Sequence, residues 1–145
     1  MTVKQISAFV ENKPGKLVEL CRVLEKQGID MRALSIAETD NFGVLRLIVD
    51  DPERTESVLR DAGYVVQITP VLALQIPDEP GGLRKVLGLL AEGEINLEYT
   101  YAFLTRRKGY AYMVLRVADN EKAVKLLADS GVVPVSQSEL AALFA

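Results

Sequence analysis

Two short phrases in this sequence carry residue types that receive a small anion. The first is Asn12-Lys13-Pro14-Gly15-Lys16-Leu17, and the second, 66 residues later, is Asp78-Glu79-Pro80-Gly81-Gly82-Leu83. Each closes a run of alternating apolar residues and opens an amphipathic helix. Proline sets φ and has no N–H to satisfy, so it turns the chain cleanly into a helix. Glycine, having no Cβ, lets a ligand approach the backbone. The N–H groups of Gly15, Lys16 and Leu17 are then expected to point outward, unpaired, at the positive end of a helix, a place suited to a carboxylate. Asn12 brings an amide that donates or accepts, and Asp78 and Glu79 bring acceptors for an ammonium group. A free amino acid presents both charges.

A second wall is expected from Gly28-Ile29-Asp30-Met31 and from Glu94-Ile95-Asn96-Leu97, where Asp30 and Asn96 are matched polar positions between apolar neighbours. The plainer structural roles stand beside this one: Asn12 and Asp78 as helix caps, Asp30 and Asn96 as residues that shape the turn into a strand. In the second copy Gly93-Glu94 replaces Gln27-Gly28, so the glycine falls one place earlier.

Other chemistries lack their residues. The chain has no histidine, which removes Ser-His-Asp and Cys-His catalysis and imidazole ligation. Cys21 is the only cysteine, so no intramolecular disulfide or clustered-cysteine zinc site forms. Its spacing with Leu17, Leu20 and Leu24 makes it a buried apolar residue. No metal and no cofactor is expected. Arg22, Arg32, Arg46, Arg60 and Arg84 are scattered over elements and faces, and no serine has an evident base. That argues against a hydrolase and for a chain that is not an enzyme. A net charge of −3 gives no reason to expect nucleic acid or an anionic membrane. Arg106-Arg107-Lys108 beside Gly109 is expected to be a solvated hairpin tip. No apolar stretch approaches the roughly 20 residues of a membrane span. Met1 leads straight into a strand without a leader, so the cytoplasm is expected.

The repeat extends well past the two phrases. Pro14, Gly15, Leu17, Leu24 and Ile29 recur 66 residues on as Pro80, Gly81, Leu83, Leu90 and Ile95. Beyond a two-residue insertion, Leu47, Val49, Asp51, Glu53, Leu59, Asp61, Gly63 and Val65 recur as Leu115, Val117, Asp119, Glu121, Leu127, Asp129, Gly131 and Val133. Identities kept in order over such a length mark a duplication.

Period-2 alternation predicts strands over residues 3–10, 30–38, 42–50 and 64–68, with a hairpin at Thr39-Asp40-Asn41. Period-3.6 spacing predicts helices over 15–27, ended by Gly28, and after Asp51-Pro52, ended by Gly63. The second half repeats the order, with strands near 71–76, 96–105, 109–118 and 132–135 and helices near 81–92 and 120–130. Ser136 and Glu139 have capping-box spacing and predict a short C-terminal helix laid against the sheet or a partner. The order βαββαβ is the ferredoxin-like split βαβ unit, an antiparallel sheet with both helices on one face. The fold class is therefore α+β, with two tandem units divided near Thr69-Pro70 (residues 1–69 and 70–145), joined side by side. The aromatic residues Tyr99, Tyr101, Phe103, Tyr110 and Tyr112 either meet the helices as core or lie on the open face against another unit or chain. Open sheet edges favour a homodimer.

These residues resemble the ACT domain family of small regulatory modules. The resemblance rests on Asn12-Lys-Pro-Gly-Lys-Leu with Gly28-Ile29-Asp30, and on Asp78-Glu-Pro-Gly-Gly-Leu with Ile95-Asn96-Leu97. It covers nearly the whole chain and is closest to stand-alone tandem ACT proteins of bacteria. It implies units paired through their sheets and amino-acid ligands seated at interfaces between units, against the first strand-to-helix loop. The ligand-binding positions so implied are Asn12, Pro14, Gly15, Lys16, Leu17 and Asp30 in one half. In the other they are Asp78, Pro80, Gly81, Gly82, Leu83 and Asn96. The function expected is non-catalytic regulation through a bound amino acid. The alternative is a regulatory subunit that acts on a separate amino-acid-biosynthetic enzyme by contact alone.

Overall fold

The computed structural model describes residues 1–145. The chain divides into two compact units, an N-terminal one of Lys4–Thr69 and a C-terminal one of Pro70–Ala145 with Met1–Val3. The elements are β1 (Val3–Glu11), α1 (Lys16–Lys26), β2 (Met31–Glu38), β3 (Phe42–Val49), α2 (Pro52–Asp61) and β4 (Val66–Pro77). They continue as α3 (Gly82–Glu92), β5 (Leu97–Ala102), β6 (Tyr110–Val117), α4 (Asn120–Asp129) and α5 (Gln137–Leu143). Each unit is an α+β fold with antiparallel strand pairs, as the periodicities require.

The repeated identities fall at the positions that define the unit. Leu24, Leu47 and Leu59 are buried in one helix-side core, and Leu90, Leu115 and Leu127 are buried in the other. Complete burial of one such side chain contributes about 2 kcal/mol. Asp51 and Asp119 are helix N-caps whose carboxylates accept the Arg54 and Lys122 N–H groups at 3.2 and 3.0 Å. Gly63 and Gly131 end those helices with φ of 93° and 80°.

The structure departs from the sequence expectation in several places. The strands expected at 64–68 and 71–76 are one strand, β4, which runs through Thr69-Pro70 without a break. Pro70 donates nothing, but its carbonyl accepts from Arg116 and Asn120. Residues 132–135 form no strand. Pro134 cannot donate to a ladder, and the segment makes one backbone bond to β4, from the Val135 N–H to the Ala73 carbonyl at 2.8 Å. Cys21 is half-buried rather than buried, because the inner face of α1 is centred on Leu20 and Leu24.

The aromatic alternative is resolved by register. Tyr99 and Tyr101 pair with Arg116 and Val114, and Tyr112 pairs with Gln75. The helix-side core holds Leu72, Leu74, Ile76 and Leu115, which alternate with these residues, so the aromatics lie on the opposite face. There α5 brings Phe144 onto Phe103, stacked at 5.4 Å, and edge-on to Tyr112 at 5.5 Å. The Ser136 and Glu139 capping box starts α5 as the spacing predicts. No helix is long and apolar enough to cross a membrane.

Candidate functional site

The first strand-to-helix loop is built from two tight turns. The Lys13 N–H donates to the Glu11 carbonyl at 3.0 Å, and the Lys16 N–H donates to the Lys13 carbonyl at 3.3 Å. Gly15 follows Pro14 with φ 82°, and α1 begins one residue later. A Cβ at Gly15 would meet nothing within 4 Å, so glycine stands there for its left-handed backbone rather than for want of space. No side chain caps this helix start. The Gly15, Leu17 and Val18 N–H groups have no backbone acceptor, while that of Lys16 is taken by Lys13. Two of the three donors expected from the sequence are thus open, and Val18 adds a third.

Asn12 anchors the loop to the β2–β3 hairpin. Its N–H donates to the Asn41 carbonyl at 2.9 Å, and its Nδ2 donates to the Thr39 carbonyl at 3.2 Å. The antiparallel register sets Glu11 opposite Phe42, and Gly43 opposite both Val10 and Glu38, which brings the hairpin tip to the loop. A pocket of about 360 Å3 opens there, lined by Asn12, Lys13 and Leu17 from the loop side and by Ile36, Glu38 and Gly43 from the hairpin. Sequence reasoning missed this hairpin wall. The signal was available, since a strand returning antiparallel to β1 must end its hairpin beside the end of β1.

The second loop repeats the backbone. The Glu79 N–H donates to the Pro77 carbonyl at 3.0 Å, the Gly82 N–H donates to the Glu79 carbonyl at 3.1 Å, and Gly81 has φ 85°. Gly81 and Leu83 leave N–H groups open. The Asp78 N–H donates to the Gly109 carbonyl at 3.0 Å, so this loop too is tied to its hairpin. The side-chain chemistry differs. The Asp78 carboxylate accepts from Arg106 Nη1 at 2.7 Å. Arg106 and Arg107 are therefore not merely solvated. Arg107 reaches the Leu143 carbonyl at 3.5 Å.

Asp30 and Asn96 are not brought to these loops within their own units. Met31 pairs with Val49 and Glu38 pairs with Gly43, so Asp30 lies at the far end of β2. At roughly 3.3 Å per residue that is about 23 Å from the loop. The expectation that the start of the second strand runs beside the loop overlooked α1, which carries the chain back along the sheet before β2 begins. Asp30 pairs with Arg32 at 3.1 Å, and its N–H donates to Asp50 Oδ1 at 3.2 Å. The Asn96 carbonyl accepts the Ala118 N–H at 3.2 Å.

The offset glycine of the second copy leaves the turn unchanged. Glu94 takes φ 57° where Gly28 takes 64°, and it is the one non-glycine with positive φ. Gly93 lies close under Leu126: a Cβ there would fall 2.5 Å from Leu126 Cδ2, whose side chain would have to shift. No group of histidine, cysteine or carboxylate side chains is arranged to hold a metal ion.

Two βαββα frames, each opening on a Pro-Gly loop with free N–H groups, define a double ferredoxin-like module of regulatory type. The chain matches the ACT domain pair family over residues 1–144 and belongs to it. It is 38% identical to a protein of solved structure from Bacteroides thetaiotaomicron, with a TM-score of 0.90 over 97% of this chain and 96% of that one. The ligand-free regulatory subunit of aspartate kinase from Thermus thermophilus aligns at TM-score 0.65 and 14% identity, covering 88% of this chain and 91% of that one. The corresponding subunit from Thermus flavus aligns at 0.60 and 13%, covering 88% and 92%. At these last identities the shared property is the fold. No match is found among curated protein sequences.

Proposed function

We propose that the chain is a non-catalytic regulatory protein that binds a free amino acid against its strand-to-helix loop, with residues 1–69 and 70–145 as its two ACT domains. The observation that carries this reading is the pocket of about 360 Å3 lined by Asn12, Lys13 and Leu17, at a helix start whose Gly15 and Leu17 N–H groups have no backbone acceptor. The ligand carboxylate meets those donors, with Asn12, Pro14 and Lys16 shaping the approach. Asp78, Pro80, Gly81, Gly82 and Leu83 are the counterparts in the second loop. Asp30 and Asn96 reach a ligand only from a unit other than the one whose loop it occupies. A site that includes them therefore uses two ACT units, and a homodimer of chains supplies such pairs. A cytoplasmic place, close to amino-acid metabolism, goes with this role. Binding acts on a partner by stabilising one arrangement of units over another.

Three or four charge-assisted hydrogen bonds, at about 1.5–3 kcal/mol each, less the cost of immobilising the ligand, correspond to roughly micromolar to millimolar affinity. Thermal shift against the twenty amino acids tests this. At a ligand concentration of about 100 Kd the native state gains about 2.7 kcal/mol. For a chain of this length that is a rise of roughly 5–10 °C. If no amino acid moves the melting point even at about 100 mM, which is about 100 Kd for a millimolar binder, the ligand reading is lost. The fold shared with regulatory subunits of aspartate kinase then favours the other reading, a subunit acting on a biosynthetic enzyme by contact alone.

A further inference from the structure

A cavity of about 660 Å3 lies in the C-terminal unit, and no residue of the Pro80-Gly81 loop lines it. It follows from how α5 is seated. Leu140 and Phe144, four residues apart on one stripe, are the side chains buried where the chain crosses the aromatic face of the sheet. Ala142 and Leu143 fall beside that stripe and form one wall, where the one-carbon side chain of Ala142 leaves space. The other wall is residues 131–135, which Pro134 keeps from pairing with β4 beyond the one bond from Val135. The polar groups between these walls are mostly donors. Gln75 Oε1 is taken by the Tyr112 hydroxyl at 3.3 Å, which leaves its Nε2. The Arg107 guanidinium makes one long bond, 3.5 Å to the Leu143 carbonyl, and pairs with no carboxylate. Asp78 serves Arg106 instead, at 2.7 Å. Glu139 is the one carboxylate lining the cavity, and its Oε2 is already bound by the Ser136 N–H at 2.7 Å. An arginine fork with most of its donors unclaimed, at the rim of an apolar cleft, matches a carboxylate that carries an apolar body.

We propose that this cavity is a small-molecule site separate from both Pro-Gly loops, that it takes a monocarboxylate with an apolar chain, and that Arg107 and Gln75 hold the carboxylate while α5 covers the chain. The proposal does not depend on the amino-acid reading above. A ligand so placed touches β4, the hairpin that carries Arg107, and α5 together, so its binding holds α5 in place. At about ten times Kd, local opening of α5 falls roughly tenfold.

The test titrates the full chain with hexanoate and follows backbone amide shifts in nitrogen-15 spectra. A ligand of this size is expected to bind with a roughly millimolar Kd. Shifts are expected at residues 75, 107, 131–135 and 139–143, with slower exchange of the α5 amides. Butanoate, two methylenes shorter, is expected to bind roughly four- to tenfold more weakly. Hexan-1-ol and hexylammonium carry the same chain without the anion and are expected to bind at least about tenfold more weakly. Arg107→Gln, at an exposed side chain, is expected to bring hexanoate down to the level of the alcohol, and Ala142→Phe to fill the cavity and abolish binding. The loop reading is scored on other amides, at 12–18 and 78–84, so the two fail independently. The inference is overturned if hexanoate at about ten times the expected Kd moves none of the cavity amides. It is overturned equally if hexylammonium binds as tightly, or if a folded Arg107→Gln or Ala142→Phe protein keeps the parent affinity. Should Ala142→Phe fail to fold, Arg107→Gln decides alone. Cavity shifts without slower exchange in α5 overturn the holding of that helix by the ligand.

Discussion

Gly82→Ala is the substitution whose consequence follows most directly from the geometry. The added methyl would lie 2.3 Å from the Pro77 carbonyl oxygen. A carbon and a carbonyl oxygen in contact sit roughly 3.3 Å apart, so the loop must open by about 1 Å. Backbone cannot swing aside as a side-chain end does, and the turn that must open is held by the bond from the Gly82 N–H to the Glu79 carbonyl. Overpacking of this kind costs about 1–3 kcal/mol. Alanine returns part of this through helix propensity, at most about 1 kcal/mol and less at a first helical position. The net loss is about 1–2 kcal/mol, or roughly 2–8 °C in melting temperature for a chain of this length. Lys16 holds the equivalent place in the first loop with its side chain half-exposed, and Lys16→Ala is expected to stay within about 0.5 kcal/mol. Scanning calorimetry distinguishes the two variants. Should the units melt in separate steps, only the C-terminal transition is expected to move. A Gly82→Ala protein that melts at or above the parent temperature would refute the steric argument, since propensity would then have outweighed the clash.

Glu94 sits at φ 57° where the other copy has glycine, so Glu94→Gly is expected to stabilise the chain by about 0.5–1 kcal/mol, read as a higher denaturant midpoint with unchanged slope. A lower midpoint would show that the Glu94 side chain contributes more than its backbone costs. Hydrogen bonds from the Ser136 backbone and hydroxyl hold the Glu139 carboxyl below its usual value of 4.5. A depressed carboxylate contributes stability that is present above about pH 4.5 and is lost as pH falls through the folded-state pKa. Protection of the α5 amides, taken relative to intrinsic exchange at each pH, is therefore expected to fall below about pH 4.5 in the parent chain. Glu139→Gln is expected to remove that dependence, and an unchanged acid response in this variant would count against the capping box as its source.

Much of the architecture was legible because it is written at short range and written twice. Leucines at 3.6-residue spacing, Asp51-Pro52, Asp119 and the Ser136 to Glu139 spacing each specify a helix face or a cap through neighbours a few residues away. The Pro-Gly phrases were legible for the same reason: a left-handed glycine after proline forces the helix start and frees its N–H groups wherever the chain goes next. What the sequence determined by itself is thus the duplication, the α+β order of elements, and two loops that leave helix-start N–H groups open.

Tertiary structure decided what stands around those loops. The hairpin wall of Ile36, Glu38 and Gly43 lies more than 20 residues from Asn12 and arrives through strand register, which no local pattern encodes. The same register sends Asp30 and Asn96 to the far end of their sheets. It also joins the fourth strand of one half to the first strand of the other as a single β4, and sets the aromatics on the face where Phe144 meets them. The contrast between the loops is decided there as well. In sequence Asn12 against Asp78 is a one-residue difference; in space it becomes an open pocket against a carboxylate already held by Arg106. Charges act through space, and only the folded chain sets which of them are near enough to pair.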